Sequence, residues 1–251
     1  MLKKMSIAFF SLQLLFSSAI NCQNIARDSV VFLEKNPISE SLLTILRDRS
    51  TKFDAFQEAT NKLANFLVLK VGEFLQVEKK EAMTPTDTMF KDGVVLKKNP
   101  ILVPILRSGL ALLPTFQHYF KGALVGMMGL KRNEETAEPM LYYANLPTIK
   151  RDDTIVILEP MLATGGSLSL ALSVLKKAGA TEKNIIIVTV VCVKEGVNKL
   201  KSQFPEITII SVALDPYLNE KAYIVPGLGD FGDRYFGNDS EPHFEILKNL
   251  G

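Results

Sequence analysis

The fold and the chemistry of this chain are decided by the stretch Thr154-Ile155-Val156-Ile157-Leu158-Glu159-Pro160-Met161-Leu162-Ala163-Thr164-Gly165-Gly166-Ser167. An apolar strand ends there in a carboxylate, a short glycine-containing loop follows, and a helical pattern begins. In a parallel α/β sheet, ligands bind at the carboxyl ends of strands, and a helix N-terminus attracts phosphate. Thr164 and Ser167 add hydroxyl donors, and Glu159 can accept hydrogen bonds from sugar hydroxyls. The stretch predicts a phosphate site; the plainer alternative is a strand-to-helix turn with Ser167 as its N-cap.

The surrounding pattern predicts the fold class. Continuous Ile/Val/Leu runs indicate strands that are buried on both faces, as in a parallel sheet covered by helices. The predicted strands are 101–106, 123–129, 154–158, 185–193 and 207–212, and the predicted helices are 109–119, 166–177 and 195–202. Their alternation predicts an α/β fold with a doubly wound, mostly parallel sheet.

Three other segments have different patterns. Apolar residues at spacings of three and four predict an N-terminal helical region over 38–75. The polar residues 78–93 are typical of a loop or connector. Residues 132–147 are polar and without a clear period, which predicts a long loop that could act as a mobile active-site arm.

Composition excludes several classes of function. A net charge of +2 gives no indication of a nucleic-acid partner. The two cysteines are Cys22 and Cys192, which lies in an apolar run, and neither His118 nor His243 has a metal-ligand neighbour, so no metal site is expected. The chain contains neither a P-loop nor a Gly-x-Gly-x-x-Gly that opens a helix after a strand, which argues against P-loop kinases and dinucleotide-dependent reductases.

The N-terminus has a separate pattern. Lys3 and Lys4 precede an apolar stretch, 5–20, with small residues near its end. This arrangement is typical of a secretory signal peptide, and the alternative is an incidental N-terminal extension. We therefore divide the chain into a signal-like or disordered leader, 1–25, and a single domain, 26–251.

Four blocks resemble the uracil phosphoribosyltransferase family, a branch of the type I phosphoribosyltransferases. Residues 159–167 read EPMLATGGS, which is similar to the family's phosphoribosyl pyrophosphate motif, DPMLATGGS. Residues 103–110 resemble its pyrophosphate-side loop, 132–136 the start of its mobile arm, and 223–237 its uracil-binding loop. The blocks occur in the family's order within a similarity that extends from about residue 36 to 238.

The resemblance implies a role for each matched position. Arg107, Arg132 and Glu159 are the expected catalytic residues, the two arginines on pyrophosphate and Glu159 on the ribose. The expected donor-binding residues are Arg107, Arg132, Glu159, Pro160, Met161, Leu162, Ala163, Thr164, Gly165, Gly166 and Ser167. The expected uracil-binding residues are Ile224, Gly229, Asp230 and Phe231.

The implied activity is transfer of the phosphoribosyl group of phosphoribosyl pyrophosphate to uracil, which gives uridine 5′-phosphate. Mg²⁺ is expected to arrive on the pyrophosphate of the donor. A homo-oligomer, GTP as an effector and no nucleic-acid partner are also expected. The donor is a cytosolic metabolite, which predicts a cytoplasmic enzyme; the signal-like leader favours a secreted or membrane-associated one.

The chain also departs from the family pattern. Glu159 replaces an aspartate, Lys131 stands where the family has tyrosine, and Asn36-Pro37-Ile38-Ser39 replaces a segment with histidine and lysine. A weak or inactive homologue with a nucleotide-binding or regulatory role is therefore the alternative. A purine or orotate phosphoribosyltransferase and an RNA-binding regulator on the same fold are further alternatives.

Overall fold

The structure is a computed structural model that describes residues 30–132 and 139–238. Its helices are α1 (Pro37–Arg47), α2 (Phe53–Gly72), α3 (Leu113–Tyr119), α4 (Gly166–Lys177), α5 (Lys194–Gln203) and α6 (Phe231–Phe236), with 3-10 turns at Ser108–Ala111 and Glu182–Asn184. Its strands are β1 (Val31–Phe32), β2 (Val77–Lys79), β3 (Ala82–Met83), β4 (Met89–Phe90), β5 (Val94–Leu96), β6 (Ile101–Leu106), β7 (Met127–Arg132), β8 (Pro139–Asn145), β9 (Ile155–Leu158), β10 (Met161–Leu162), β11 (Ile185–Val193), β12 (Thr208–Asp215), β13 (Tyr217–Leu218) and β14 (Ile224–Val225).

The central sheet has eight strands in the order β1-β12-β11-β9-β6-β7-β8, with β10 pairing beside β9 on β11. Every pair in it is parallel except β7–β8. The prediction of a doubly wound, mostly parallel α/β sheet is confirmed.

Two separate cores explain why the strands are continuous apolar runs. Val156 and Leu158 of β9 face a core built with α1, α2, α3 and α6. Ile155 and Ile157 face a second core built with α4 and α5. Because each face of the sheet is covered, successive residues of one strand are buried alternately in opposite layers.

The predicted N-terminal helical region is confirmed as two helices. Asn36 starts α1 by accepting a hydrogen bond from the Ile38 N–H at 2.9 Å. After Arg47 the side chain of Asp48 accepts hydrogen bonds from the N–H and hydroxyl of Ser50, both at 2.8 Å. Such local bonding competes with helix continuation and separates α1 from α2.

Two loop predictions are wrong. Residues 139–145, read as part of a loop, form β8, the antiparallel edge partner of β7. Residues 78–93 contain parts of two small antiparallel ladders, β2–β5 and β3–β4. These strands are largely exposed, so they lack the buried face that produces a readable apolar period.

Two element boundaries also differ from the prediction. The segment 109–119 divides into a 3-10 turn and α3, and the strand predicted over 123–129 begins at Met127 and continues to Arg132. The leader 1–25 and the segment 133–138, which includes most of the predicted start of the mobile arm, lie outside the described residues. Among the described helices, none combines the length and apolarity needed to cross a bilayer.

Candidate active site

Three loops meet at the carboxyl-end edge of the sheet. The first follows β6, the second follows β9, and β6 and β9 are adjacent and parallel. The third, residues 226–231, follows β14 and ends in the first turn of α6. Because parallel strands deliver their carboxyl ends to one edge, this edge is where an α/β sheet binds ligands.

The loop after β6 contacts the loop after β9 and helix α6, which follows the third loop. A cis peptide bond joins Leu106 to Arg107. The Arg107 side chain is 56% exposed, and its Nη2 donates a hydrogen bond to Oδ1 of Asp233 in α6 at 2.8 Å. The hydroxyl of Ser108 lies 2.9 Å from Oε1 of Glu159, to which it donates. The structure therefore brings the predicted residues Arg107 and Glu159 into one site.

The loop after β9 opens the helix that was predicted to receive phosphate. Gly165 has a φ of +74° and occupies the N-cap of α4, so the alternative with Ser167 as N-cap is wrong. A Cβ atom at Gly165 would lie 3.0 Å from the Gly196 carbonyl oxygen, so glycine suits both the backbone angle and the space. The first N–H groups of α4 have no carbonyl of their own helix to bind, which suits them to an anion.

The rest of this loop is firmly attached to the sheet. The Pro160 carbonyl oxygen accepts hydrogen bonds from the N–H groups of Val190 and Val191 and from the Thr189 hydroxyl, at 2.8, 3.1 and 2.8 Å. Pro160 and Leu162 are buried, whereas Ser167 is exposed and Met161, Ala163, Thr164 and Gly166 are partly exposed. The predicted donor-binding segment therefore has a fixed base and an accessible rim.

Glu159 is an unusual carboxyl group. Burial raises its pKa from an ordinary 4.5 to about 7. Hydrogen bonds from the Ser108 hydroxyl and the Met161 N–H oppose this rise, whereas the negative charge of Asp230 adds to it. Near neutral pH this carboxyl group is poised between its protonated and ionised forms.

The third loop and the strand before it, β14, hold the residues predicted to bind uracil. Ile224 and Phe231 are buried, and the Phe231 ring packs edge-on against Phe56 with 5.2 Å between centroids. Gly229 and Asp230 are exposed. The Asp230 carboxylate caps α6 by accepting the Asp233 N–H at 2.9 Å. The side chains of Ile224 and Phe231 thus pack in the core, whereas Gly229 and Asp230 belong to the accessible part of this loop.

Arg132 is the last residue of β7, the neighbour of β6, and pairs with Pro139 across the β7–β8 ladder. The ladder reaches the first residue of α4, because a Cβ atom at Gly166 would lie 3.6 Å from Cγ of Pro139. The side chain of Arg132 belongs to the part of the chain that the structure does not describe. Within residues 30–132 and 139–238, no cluster of three or more His, Cys, Asp or Glu side chains could hold a metal ion.

Sequence reasoning missed several residues that organise the site. Ser108 and Asp233 were within quoted motifs but received no role. Arg47 and Asp215 bind the main chain of Gly227 in the third loop, and Arg234 donates to the Leu228 carbonyl oxygen. Glu159 is predicted as a site residue because it is a carboxylate at the end of a strand. Asp215, at the end of β12, has the same position.

Comparisons with known proteins point to a single family. The family model described as "Uracil phosphoribosyltransferase" matches residues 33–238. A Bacillus licheniformis protein named "Uracil phosphoribosyltransferase" is 39% identical over 207 residues, which cover 82% of this chain and 98% of that protein. A Streptococcus pyogenes protein of the same name is 42% identical over 202 residues, covering 80% of this chain and 95% of that protein.

A solved structure of a protein from Aquifex aeolicus superposes with a TM-score of 0.75 at 33% identity. The superposed residues cover 84% of this chain and 100% of that protein. The likeness therefore extends over most of this chain and the whole of that protein.

Proposed function

Because this chain belongs to the uracil phosphoribosyltransferase family, we propose that it transfers the phosphoribosyl group of phosphoribosyl pyrophosphate to uracil. N1 of uracil forms a bond to the anomeric carbon of the ribose, and the bond to pyrophosphate breaks. The N1 proton is lost, and the products are uridine 5′-phosphate and pyrophosphate. The chain is a pentosyltransferase that serves pyrimidine salvage.

The observation that carries this proposal is the meeting of three loops at one edge of the sheet. Ser108 joins the first loop to Glu159 on the second, and Arg107 joins the first to Asp233 beside the third. The reaction needs a pyrophosphate site, a 5′-phosphate site and a base site around one ribose. The three loops supply candidate groups for each.

The donor is held by groups on the first two loops. Arg107 and Arg132 bind the pyrophosphate, since a guanidinium offers a planar fork to phosphate oxygens and stays charged. Glu159 accepts hydrogen bonds from ribose hydroxyls, and 161–167 surrounds the 5′-phosphate at the N-terminus of α4. Because charge leaves on pyrophosphate while the ribose becomes cationic, positioning and electrostatics contribute most to catalysis.

The base is recognised by the third loop. Main-chain groups near Gly229, Asp230 and Phe231 match the donor and acceptor edge of uracil, with Ile224 beneath them. The exposed position of Gly229 and Asp230 supports this role, as does the burial of the Phe231 ring in the core.

The residues present fit a Mg²⁺ ion that is carried by the donor. Mg²⁺ usually keeps several waters and binds substrate phosphates with only one or two carboxylates. Glu159 and Asp230 are the carboxylates on the loops that would face such an ion, and the described residues contain no group of three ligands. The ion would neutralise charge on the pyrophosphate.

The β7–β8 hairpin is the proposed mobile arm. Its last described residues on either side, Arg132 and Pro139, lie at the carboxyl-end edge of the sheet. Closure over the donor would exclude water, and hydrolysis of the donor is the reaction that competes with transfer.

We also propose that the chain forms a homo-oligomer through an apolar hairpin arm, residues 77–96. Apolar side chains are exposed along it, among them Val77 (54%), Met83 (61%), Phe90 (49%) and Val94 (63%). Exposed apolar side chains gathered in one segment favour association. Sedimentation of Phe90→Glu should show dissociation relative to Lys91→Glu, and an unchanged mass for both would remove the arm from the interface.

Three further proposals follow from the family. GTP acts as an effector, which titration of GTP into the transfer assay tests directly. The enzyme works in the cytoplasm, because its donor is made and used there. Residues 26–251 form a single domain preceded by the leader 1–25.

The test of this function is product formation by the full chain. Purified protein is mixed with uracil, phosphoribosyl pyrophosphate and Mg²⁺, and uridine 5′-phosphate is measured by chromatography. Parallel reactions contain adenine, hypoxanthine or orotate. Uridine 5′-phosphate from uracil alone is expected. Preference for another base would reassign the substrate, and a folded protein that binds the donor without any turnover would indicate the inactive homologue.

A further inference from the structure

We propose that Arg47 and Asp215 are positioning residues that hold the third loop in place and thereby set the affinity for uracil. The inference rests on the proposed function of that loop, and neither residue touches the substrates. Arg47 is the last residue of α1, and Asp215 is the last residue of β12.

The two side chains form a bidentate ion pair. Nη1 of Arg47 lies 2.8 Å from Oδ2 of Asp215, and Nη2 lies 2.6 Å from Oδ1. The Asp215 side chain is only 4% exposed and that of Arg47 is 23% exposed. Two parallel hydrogen bonds between largely buried side chains fix both the separation and the relative orientation of the guanidinium and the carboxylate, whereas a single hydrogen bond fixes only the separation.

The same pair binds both main-chain groups of Gly227. Arg47 Nη1 donates to the Gly227 carbonyl oxygen at 2.7 Å, and the Gly227 N–H donates to Oδ2 of Asp215 at 2.8 Å. Gly227 has a φ of +61°, and a Cβ atom there would lie 2.1 Å from the Ile224 carbonyl oxygen. Gly227 itself has no side chain that could hold it, so the ion pair sets the position of its main chain.

A second arginine, Arg234, attaches Leu228 to the C-terminal end of α1. Arg234 donates through Nη1 to the carbonyl oxygens of Leu46 and Leu228, the latter at 2.8 Å, and through Nη2 to that of Asp48 at 2.6 Å. Its guanidinium also lies over the Phe56 ring, 4.4 Å from the centroid. The C-terminal turn of α1 is therefore the support on which residues 227 and 228 rest.

This support matters because the recognition groups follow immediately. Gly229, Asp230 and Phe231 continue the chain from Leu228, and they recognise uracil through the main chain. Main-chain groups cannot adjust by changing rotamer, so a shift of Gly227 moves the whole recognition edge. A displacement of about 1 Å can cost a reaction about 100-fold. The donor contacts belong to other loops and should be affected far less.

The experiment measures KM for uracil and for phosphoribosyl pyrophosphate in the full chain and in Arg47→Lys and Asp215→Asn. Lysine keeps the charge of Arg47 but cannot serve Asp215 and Gly227 with the same fork. We expect KM for uracil to rise about tenfold in both variants, while KM for the donor changes by less than about threefold. Arg47→Lys keeps the charge at a partly exposed position, so both KM values can still be measured in this variant if Asp215→Asn does not fold.

Glu182→Gln is the matched control. The Glu182 side chain is 10% exposed, is paired with Lys176 and accepts the Glu206 N–H at 2.9 Å, far from the three loops. Glu182→Gln should lower the melting temperature, as Asp215→Asn should, but it should not change KM for uracil. Equal changes in both KM values, or losses that follow the fraction of unfolded protein, would overturn the inference. An inactive wild-type chain would instead contradict the proposed function.

Discussion

The hydroxyl oxygen of Ser108 lies 2.9 Å from Oε1 of Glu159, so a hydrogen bond joins the loop after β6 to the carboxyl group proposed to bind ribose. Glu159 stands where the resembling family has aspartate, and its side chain is one methylene longer. The Ser108 hydroxyl and the Met161 N–H bind the longer side chain in a defined position. This arrangement gives the longer glutamate side chain a fixed place in the site.

A double-mutant cycle between Ser108→Ala and Glu159→Asp tests that explanation. Removing the hydroxyl should lower kcat/KM for the donor about fivefold when Glu159 is present, since the carboxyl group loses one of its hydrogen bonds. The same change should have little effect in the Glu159→Asp background, because the shorter aspartate side chain does not reach Ser108. The predicted coupling is about 1 kcal/mol.

Ser202→Ala is the matched control for the cycle. The Ser202 hydroxyl donates to the Lys199 carbonyl oxygen at 2.8 Å on α5, remote from the site. Its removal should leave kcat/KM unchanged. Additive effects of Ser108→Ala and Glu159→Asp would show that the hydrogen bond does not position the carboxyl group.

The raised pKa of Glu159 predicts a pH-dependent rate. The ionised form accepts ribose hydroxyls better than the protonated form, and the pKa in the unliganded protein is about 7. kcat/KM for the donor should therefore rise with pH through about 7, because this parameter reports groups of the free enzyme. Measured from about pH 5.5 to 9, a span that brackets this pKa, the rising limb should be absent in Glu159→Gln. A limb that persists in this variant belongs to another group, such as the pyrophosphate of the donor.

The same pKa shift predicts how stability changes with pH. The folded-state pKa of Glu159 lies above its ordinary value of 4.5, so between pH 4.5 and about 7 the folded chain retains a proton that the unfolded chain has lost. The Glu159 contribution to stability is present below pH 4.5 and is lost as pH rises through about 7. Thermal unfolding of Glu159→Gln should lack this part of the decline. An identical decline in the variant would place the titrating group elsewhere.

The pair between Arg107 and Asp233 predicts a competition with the donor. Both side chains are accessible, 56% and 36% exposed. Under the proposed function, Arg107 leaves Asp233 when it binds pyrophosphate. Exposed pairs contribute about 0.2–1 kcal/mol, so Asp233→Asn should lower KM for the donor about 1.4-fold to fivefold and leave kcat unchanged. Asp233→Glu, which keeps the charge, is the control. A higher KM in Asp233→Asn would mean that Asp233 orients Arg107 for binding.

The sequence predicts the parts of this fold whose pattern is local. Ile185–Val193 is a strand at the predicted limits because every residue in it is buried, which leaves an uninterrupted apolar run. In contrast, Tyr142 on β8 is 53% exposed, and an edge strand without a buried face has no such signal. The exposed hairpins over 77–96 were missed for the same reason.

The same distinction applies to the site. Glu159 and the glycines that follow it occur in one continuous stretch, so the strand, loop and helix N-terminus can be read together. Arg47 and Asp215 are separated by 168 positions in the chain. Their pairing depends on how α1 packs beside the end of β12, and no local pattern encodes that contact.

The most direct test of the proposed site compares uridine 5′-phosphate formation by the wild-type chain, Arg107→Ala and Arg151→Ala. Arg151 is an exposed arginine in the turn that precedes β9, at the opposite edge of the sheet. We predict product from the wild type and from Arg151→Ala, and a loss of about 100-fold or more in kcat/KM for Arg107→Ala, as expected when a phosphate-stabilising group is removed. Near-normal kinetics in a folded Arg107→Ala protein would contradict the assignment of pyrophosphate binding to this loop.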